Sequence, residues 1–343
     1  MANYTLANLV KAQIMLDGEF AKNDNRFRRP DVFLMFIGSN NSFFPNYKTL
    51  KTSDTRAIEA NYFKRNANSL TTTGRAHNHT GTGSDSGTLN LSWVTYSTTF
   101  SMTLKQADTS IMTWQTQFNN EIEQKIIDFS DGLNTAAVTY LFANRSGVNP
   151  AAVKGTFDAT NDTYEITQTN YGTQAMTITK VVMDINKYQG QKMMVVADSL
   201  AWTDFLQQAA QGAQNATNMA FQFLGIDFIH NPSLTATAAA LDATYVKGFW
   251  LVVPKDYVGC LDWIPKQNKM GKETTVNTYG SLRNPNDGLQ YAFHSYETRA
   301  DGTSVNGQKQ DVVTQSEISI DLAFSHAPSS TANSTPIFAF AFV

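Results

Sequence analysis

Cysteine is almost missing from this chain: 343 residues contain only Cys260, so no internal disulfide can form. A basic excess is missing too. The formal charge of −3 argues against a dedicated nucleic-acid binder, which normally carries many more cations than anions. It still permits a surface that merely faces nucleic acid. No segment approaches about 18 uninterrupted apolar residues, so no helical span of a bilayer is expected. Residues 1–20 lack the basic start and apolar run of a secretion signal, and none is expected. Without one, Asn-x-Ser/Thr triplets such as Asn3-Tyr4-Thr5 carry no weight.

Catalytic signatures are as scarce. Gly83-Ser84-Asp85-Ser86-Gly87 places aspartate at the centre, where a nucleophile elbow needs serine. Gly81 and Gly83 lie in a polar stretch, not between a strand and a helix, so they do not make a dinucleotide site. Gly271-Lys272 and Gly190-Gln191-Lys192 both lack the remaining residues of a phosphate loop. His77 and His79 are the one close histidine pair, and no nearby cysteine or carboxylate arrangement completes a metal site. Cys260, among Val258, Leu261 and Trp263, reads as a small core residue. No enzyme activity, cofactor or metal is expected.

What is present is a long helix. Phe118, Ile122, Ile126, Phe129, Leu133, Ala137, Tyr140 and Leu141 recur at steps of three and four between Trp114 and Phe142. At 1.5 Å per residue that stripe is roughly 43 Å long. Asp108 to Ser110 offer capping oxygens before it, and Asn144, Gly147 and Pro150 close it. Glu121 and Lys125 suit a pair on its wet side, and Gly132 is the expected bend. With 42% hydrophobic residues, the chain has ample material for a core in one or two domains.

Before this helix, Leu6 to Leu16 suggests a short amphipathic helix, and Lys22 to Pro30 a basic connector with Arg26, Arg28 and Arg29. Val32 to Ile37 has strand character and Asp54 to Arg65 reads as a weak helix, so the whole stretch looks like an extended arm with little core of its own. Asn66 to Asn90 is nearly devoid of apolar side chains and cannot fold on itself. Such a loop must be held from outside, and another copy of the chain is the simplest support. Leu89 to Leu104 is strand, with a bulge or a change of buried face at Trp93-Val94.

After the long helix, Gly155 to Thr179 suggests short strands and turns. Met193 to Ala197 is a strand buried on both faces, followed by a helix capped by Asp198 or Ser199 with Trp202, Phe205 and Leu206 on one side. Phe221 to Ile229 is strand, and Phe249 to Val253 is strand followed by a second helix from Pro254 through Ile264. Leu289 to Phe293, Glu317 to Phe324 and Phe338 to Phe342 alternate as strands.

This order of parts resembles the major capsid proteins of tailed bacteriophages, the Hong Kong 97 fold that encapsulin shells share. Thr88 to Leu104 leading into Trp114 to Phe142 carries the likeness, with Gln191 to Asp198, Phe223 to Ile229 and Phe249 to Pro254. The resemblance implies an α+β chain with an N-terminal arm (1–65), an extended β-hairpin loop (66–106), a peripheral domain with the spine helix (107–180 and 285–343) and an α/β axial domain (181–284). It implies a virion subunit, assembled in the host cytoplasm, that encloses double-stranded DNA. Its partners would be its own copies in pentamers and hexamers, with portal, scaffolding or cement proteins beside them and no membrane. Arg26, Arg28, Arg29, Arg75, His77, His79 and Asp85 are the candidates for contact between subunits. Residues 66–90 contain no lysine, so cross-links of the Lys–Asn kind from this loop are not expected. An encapsulin-like compartment, or another virion component such as a tail-tube or decoration protein, stays open as an alternative.

Overall fold

A computed structural model describes residues 6–22, 29–44, 47–56, 60–64, 85–89, 91–103, 113–146, 153–186, 188, 191–212, 222–223, 226–299, 312–328 and 335–343. Helix α1 (Leu6–Ala21) buries Leu9, Ala12 and Leu16, while Val10 and Ile14 point away from the core. Helix α2 (Asp31–Phe43) replaces the strand expected at Val32 to Ile37. Six apolar residues are too few to display a period. The preceding Pro30 provides no side-chain cap, and the spine helix supplies one instead: Asn134 Oδ1 accepts from the amides of Val32 (3.0 Å) and Phe33 (3.3 Å). Helix α3 (Tyr47–Thr52) comes first, and strand β1 (Ala60–Lys64) then stands in place of the weak helix expected over Asp54 to Arg65. The state of β1 is decided by its distant partner β2 (Asp85–Leu89), which local propensity does not reveal. Residues 6–21 and 31–43 therefore dock into the main core instead of lying as an arm with little core of its own.

Strand β3 (Val94–Thr103) precedes the spine helix α4 (Trp114–Ala143), whose 30 residues span about 45 Å. Thr113 Oγ1 accepts from the Thr116 amide at 3.3 Å to start it, and Asn144 ends it with an N–H to the Tyr140 carbonyl at 3.1 Å. The expected caps at Asp108 to Ser110, Gly147 and Pro150 lie outside the described residues. The buried stripe is the expected one, with Tyr140 half-buried. Lys125 Nζ sits 3.4 Å from Asp128 Oδ2, in place of the expected pairing with Glu121.

That stripe lies on a six-stranded antiparallel sheet in the order β10 (Val258–Trp263), β14 (Val312–His326), β13 (Gln290–Arg299), β12 (Asn277–Arg283) and β11 (Lys272–Glu273), with β3 also pairing β14. Phe118 meets Phe293 edge-on at 5.9 Å, Phe129 meets Tyr291 at 5.1 Å, and Tyr140 stacks on Phe324 at 5.5 Å, so the contact runs along the helix. The change of face before β3 is real. Leu91 and Trp93 pack with Phe44 and Tyr47 in one cluster, whereas Tyr96, Phe100 and Met102 face the main core.

The second sheet has seven strands in the order β4 (Thr156–Asp158), β5 (Thr163–Ile166), β15 (Phe338–Phe342), β9 (Phe249–Pro254), β6 (Met193–Ala197), β8 (Ile226–His230) and β7 (Gln222–Phe223). All of β9 is buried. Phe249, Leu251 and Val253 enter the core shared with the spine, where Phe142 comes within 5.8 Å of Phe249; Trp250 and Val252 enter a second core. After helix α5 (Gln168–Tyr171), helices α6 (Ala175–Ile185) and α7 (Ser199–Gly212) supply side chains to that second core. Two strand-then-helix units occur, as expected, but the second joins β8 to helix α8 (Ser233–Leu241).

The helix expected from Pro254 to Ile264 is instead β10, which leaves β9 through a turn with Asp256 at φ 67°. Val258 and Cys260 face the main core and Leu261 the cluster around Phe44, the alternation of a strand buried on both sides. Sheet membership also cuts across the expected domain boundaries. Strands β10 to β12, within 181–284, belong to the spine's sheet, while β4, β5 and β15, outside it, belong to the other. Nonlocal pairing decides this, and composition along the chain does not register it.

A polar knot fastens the β12–β13 turn to the spine. Asn284 Nδ2 donates to Ser130 Oγ of α4 (3.3 Å) and to Asp287 Oδ2 (3.0 Å), and Tyr291 Oη donates to the same Asp287 oxygen at 2.5 Å. Loss of water outweighs these bonds and raises the Asp287 carboxyl to about 6. Between about pH 4 and 6 the folded state thus holds a proton that the unfolded chain has released, and stability falls as pH rises through that window. Asp287→Asn is expected to flatten this decline by about 2 kcal/mol, as read from urea unfolding at a series of pH values. The spine itself runs unbroken through the exposed Gly132, where an added Cβ would meet nothing within 4 Å. Gly132→Ala is expected to stabilise the chain by about 0.5–1 kcal/mol in the same assay.

Candidate assembly surface

Among the described residues, strands β1 and β2 pair only with each other, in antiparallel register from Ala60 opposite Leu89 to Lys64 opposite Asp85, and form a sheet of their own. The extended hairpin thus begins at its stem before residue 66. The later part of the expected loop, β3, belongs to the spine's sheet. A lone two-stranded hairpin is marginal in water, and independent stability takes a third strand or a packed face. Residues 66–84, between the two strands, hold no aliphatic side chain apart from Ala67, Leu70 and Ala76, and no Phe, Tyr or Trp.

The root of this hairpin is fastened firmly. Trp263 Nε1 (3.3 Å) and Lys269 Nζ (3.1 Å) both donate to the Ser53 carbonyl, and Lys266 Nζ meets Asp54 Oδ2 at 2.5 Å. The two lysines lie on the short helix α9 (Lys266–Met270), and the Lys269 ammonium sits 5.3 Å from the centre of the Trp263 ring. On the other leg, Leu91 and Trp93 are packed against Phe44, Tyr47, Leu261 and Ala323.

Of the residues proposed for contact between subunits, two are described. Arg29 is exposed and lies 3.1 Å from Asp31 Oδ1 at the start of α2, an ion pair within its own chain. Asp85 opens β2, at the stem of the hairpin, opposite Lys64. Arg26, Arg28, Arg75, His77 and His79 lie outside the described residues. Sequence reading missed the root residues, Trp263 and the two lysines above all. No local signal marks them, because Ser53 and Trp263 are brought together only by the fold.

The groups that could carry chemistry do not converge. His230 Nε2 lies 3.0 Å from Ser199 Oγ at the start of α7, but its ring stacks on Trp202, and among the described residues no carboxylate holds its other nitrogen. His326 bonds Tyr140 Oη at 2.8 Å, and burial lowers its pKa. Asp198 caps α7 by accepting from the Ala201 amide at 2.7 Å, as expected. The thiol of Cys260 is raised by burial and stays inert inside the core. Among the described residues no group of three or more His, Cys, Asp or Glu could hold a metal ion, and no helix is long and apolar enough to cross a membrane. An open cavity of about 530 Å³ is lined by Pro265, Lys266, Gln267, Met270, Gly271 and Lys272, without a nucleophile–base pair.

No family model and no curated protein matches the chain. Solved structures do. A cyanophage Pam1 capsid asymmetric unit aligns with a TM-score of 0.49 at 10% identity, covering 88% of this chain and 92% of that one. A cyanophage A-1(L) capsid asymmetric unit gives 0.46 at 12% identity, covering 85% and 92%. The mature capsid of bacteriophage PhiM1 gives 0.42 at 12% identity, covering 83% and 82%.

Proposed function

We propose that this chain is the building block of a closed protein shell, the major capsid protein of a tailed bacteriophage with the Hong Kong 97 fold, and that its work is association with its own copies. One observation carries the reading: a hairpin that belongs to neither large sheet is held rigidly at its root on a body built around a long helix. A chain that fastens the base of a projection it cannot itself cover presents that projection to something else. A second copy is always at hand in a homo-oligomer and adds buried area beyond the ~800 Å² per partner of a standard interface. Ordering the polar loop costs entropy, so the overlap forms only when several copies meet together.

In this reading the spine helix and the six-stranded sheet form the peripheral domain, with β10 to β12 included. The seven-stranded sheet with α6 to α8 forms the axial domain, with β4, β5 and β15 included. Double-stranded DNA is the content, and a formal charge of −3 suits a wall that faces DNA without holding it. The product is a virion component, not an enzyme.

The test is excision of residues 66–84, with the stem closed by an Asn-Gly turn that matches a two-residue hairpin. The expected outcome is a folded monomer or small oligomer that forms no shells in negative-stain microscopy, while the unaltered chain forms closed particles. Intact particles from the excised chain would contradict the assigned role. Particles filled with a cargo protein instead of DNA would favour the encapsulin-like alternative.

A further inference from the structure

We propose that Asp321 is the positioning residue of the hairpin, one carboxylate whose two oxygens tie both legs of the projection together; this rests on the reading that the hairpin reaches a second copy. Asp321 lies on β14 and is 7% exposed. Its Oδ1 accepts from Thr95 Oγ1 at 2.5 Å, at the point where the returning leg enters β3. Its Oδ2 lies 3.3 Å from the Arg56 guanidinium, at the end of the outgoing leg. The register sets all of this in one row across the sheet, because Trp263 of β10 and Thr95 of β3 both stand opposite Asp321. Arg56 closes the row from above, its guanidinium carbon 5.6 Å from the centre of the Trp263 ring.

Two features make this more than a surface ion pair. Asp321 is almost wholly enclosed, so its bonds are screened far less than those of an exposed pair. The carboxylate is also shared. Pulling either leg away leaves a buried charge with half its partners, which costs more than the lost bond alone. The legs are therefore coupled: 53–56 and 91–95 stay or leave together. The other polar root contacts, from Trp263 and Lys269 to the Ser53 carbonyl and from Lys266 to Asp54, grip the outgoing leg, and the returning leg is held besides by the packing of Leu91 and Trp93.

The test is hydrogen exchange on the unassembled full-length chain, comparing Arg56→Gln, Thr95→Val and Asp321→Asn with the unaltered protein. Each single change is expected to speed amide exchange about tenfold in both stretches, 53–56 and 91–95, with the urea midpoint of the whole chain nearly unmoved. Arg56→Gln combined with Asp321→Asn should exchange no faster than Asp321→Asn alone. A residue with a merely structural role would shift the midpoint and would not pass the effect from one leg to the other. The proposal is overturned if Arg56→Gln loosens only 53–56 and Thr95→Val only 91–95, and these two variants decide the matter even if Asp321→Asn fails to fold. Shell formation is scored separately. If the unaltered chain forms no shells, the functional reading fails while exchange still judges the coupling; if shells form but the legs loosen independently, the coupling alone is wrong.

Discussion

Everything in this fold depends on one contact, the apolar stripe of α4 against the six-stranded sheet. A helix of 30 residues with a largely polar far side does not stand alone in water, and the sheet beneath it leaves an equally apolar face to cover. Phe118, Ile122, Ile126, Phe129 and Leu133 solve both problems by meeting Phe293, Ile318, Ile320 and Tyr291 in one core. The N-terminal helices fill the flanks of the same core. The helix then continues past the end of that sheet, so that Phe142 and Leu141 share a core with Phe249 and Leu251 of the other.

The parts that could be read directly from the chain are those whose pattern is long and whose burial is one-sided. The spine stripe repeats through more than six turns, and β14 alternates along Ile318, Ile320 and Leu322, so period alone identifies them. The runs at Val32 to Ile37 and Val258 to Ile264 could not be resolved this way. Both are short and buried on more than one side, which erases the difference between a period of two and one of 3.6. Sheet partnership was equally hidden: β15 slots between β5 and β9, far away in the chain, by pairing that leaves no trace in composition.

The proposed association surface was legible in a different sense. The poverty of apolar residues between 66 and 84 announces a segment that cannot fold by itself. It does not announce where the segment is anchored. Trp263, Lys266, Lys269 and Asp321 carry no mark in the sequence that sets them apart, and the register of β10, β14 and β3 turns them into a mount. Cationic Arg29, which stood out by its neighbours, turns out to pair within its own chain.

The shared core has a mechanical consequence. Because α4 is embedded in both sheets at once, neither sheet can tilt against the other without tearing aromatic contacts such as Phe142 on Phe249. The body is a stiff tile. On the proposed shell reading, a curved wall laid from such tiles takes its curvature at the grout lines between them, and so variants that alter the tile's interior should change how well it endures, whereas variants at its margins should change the radius of what is built.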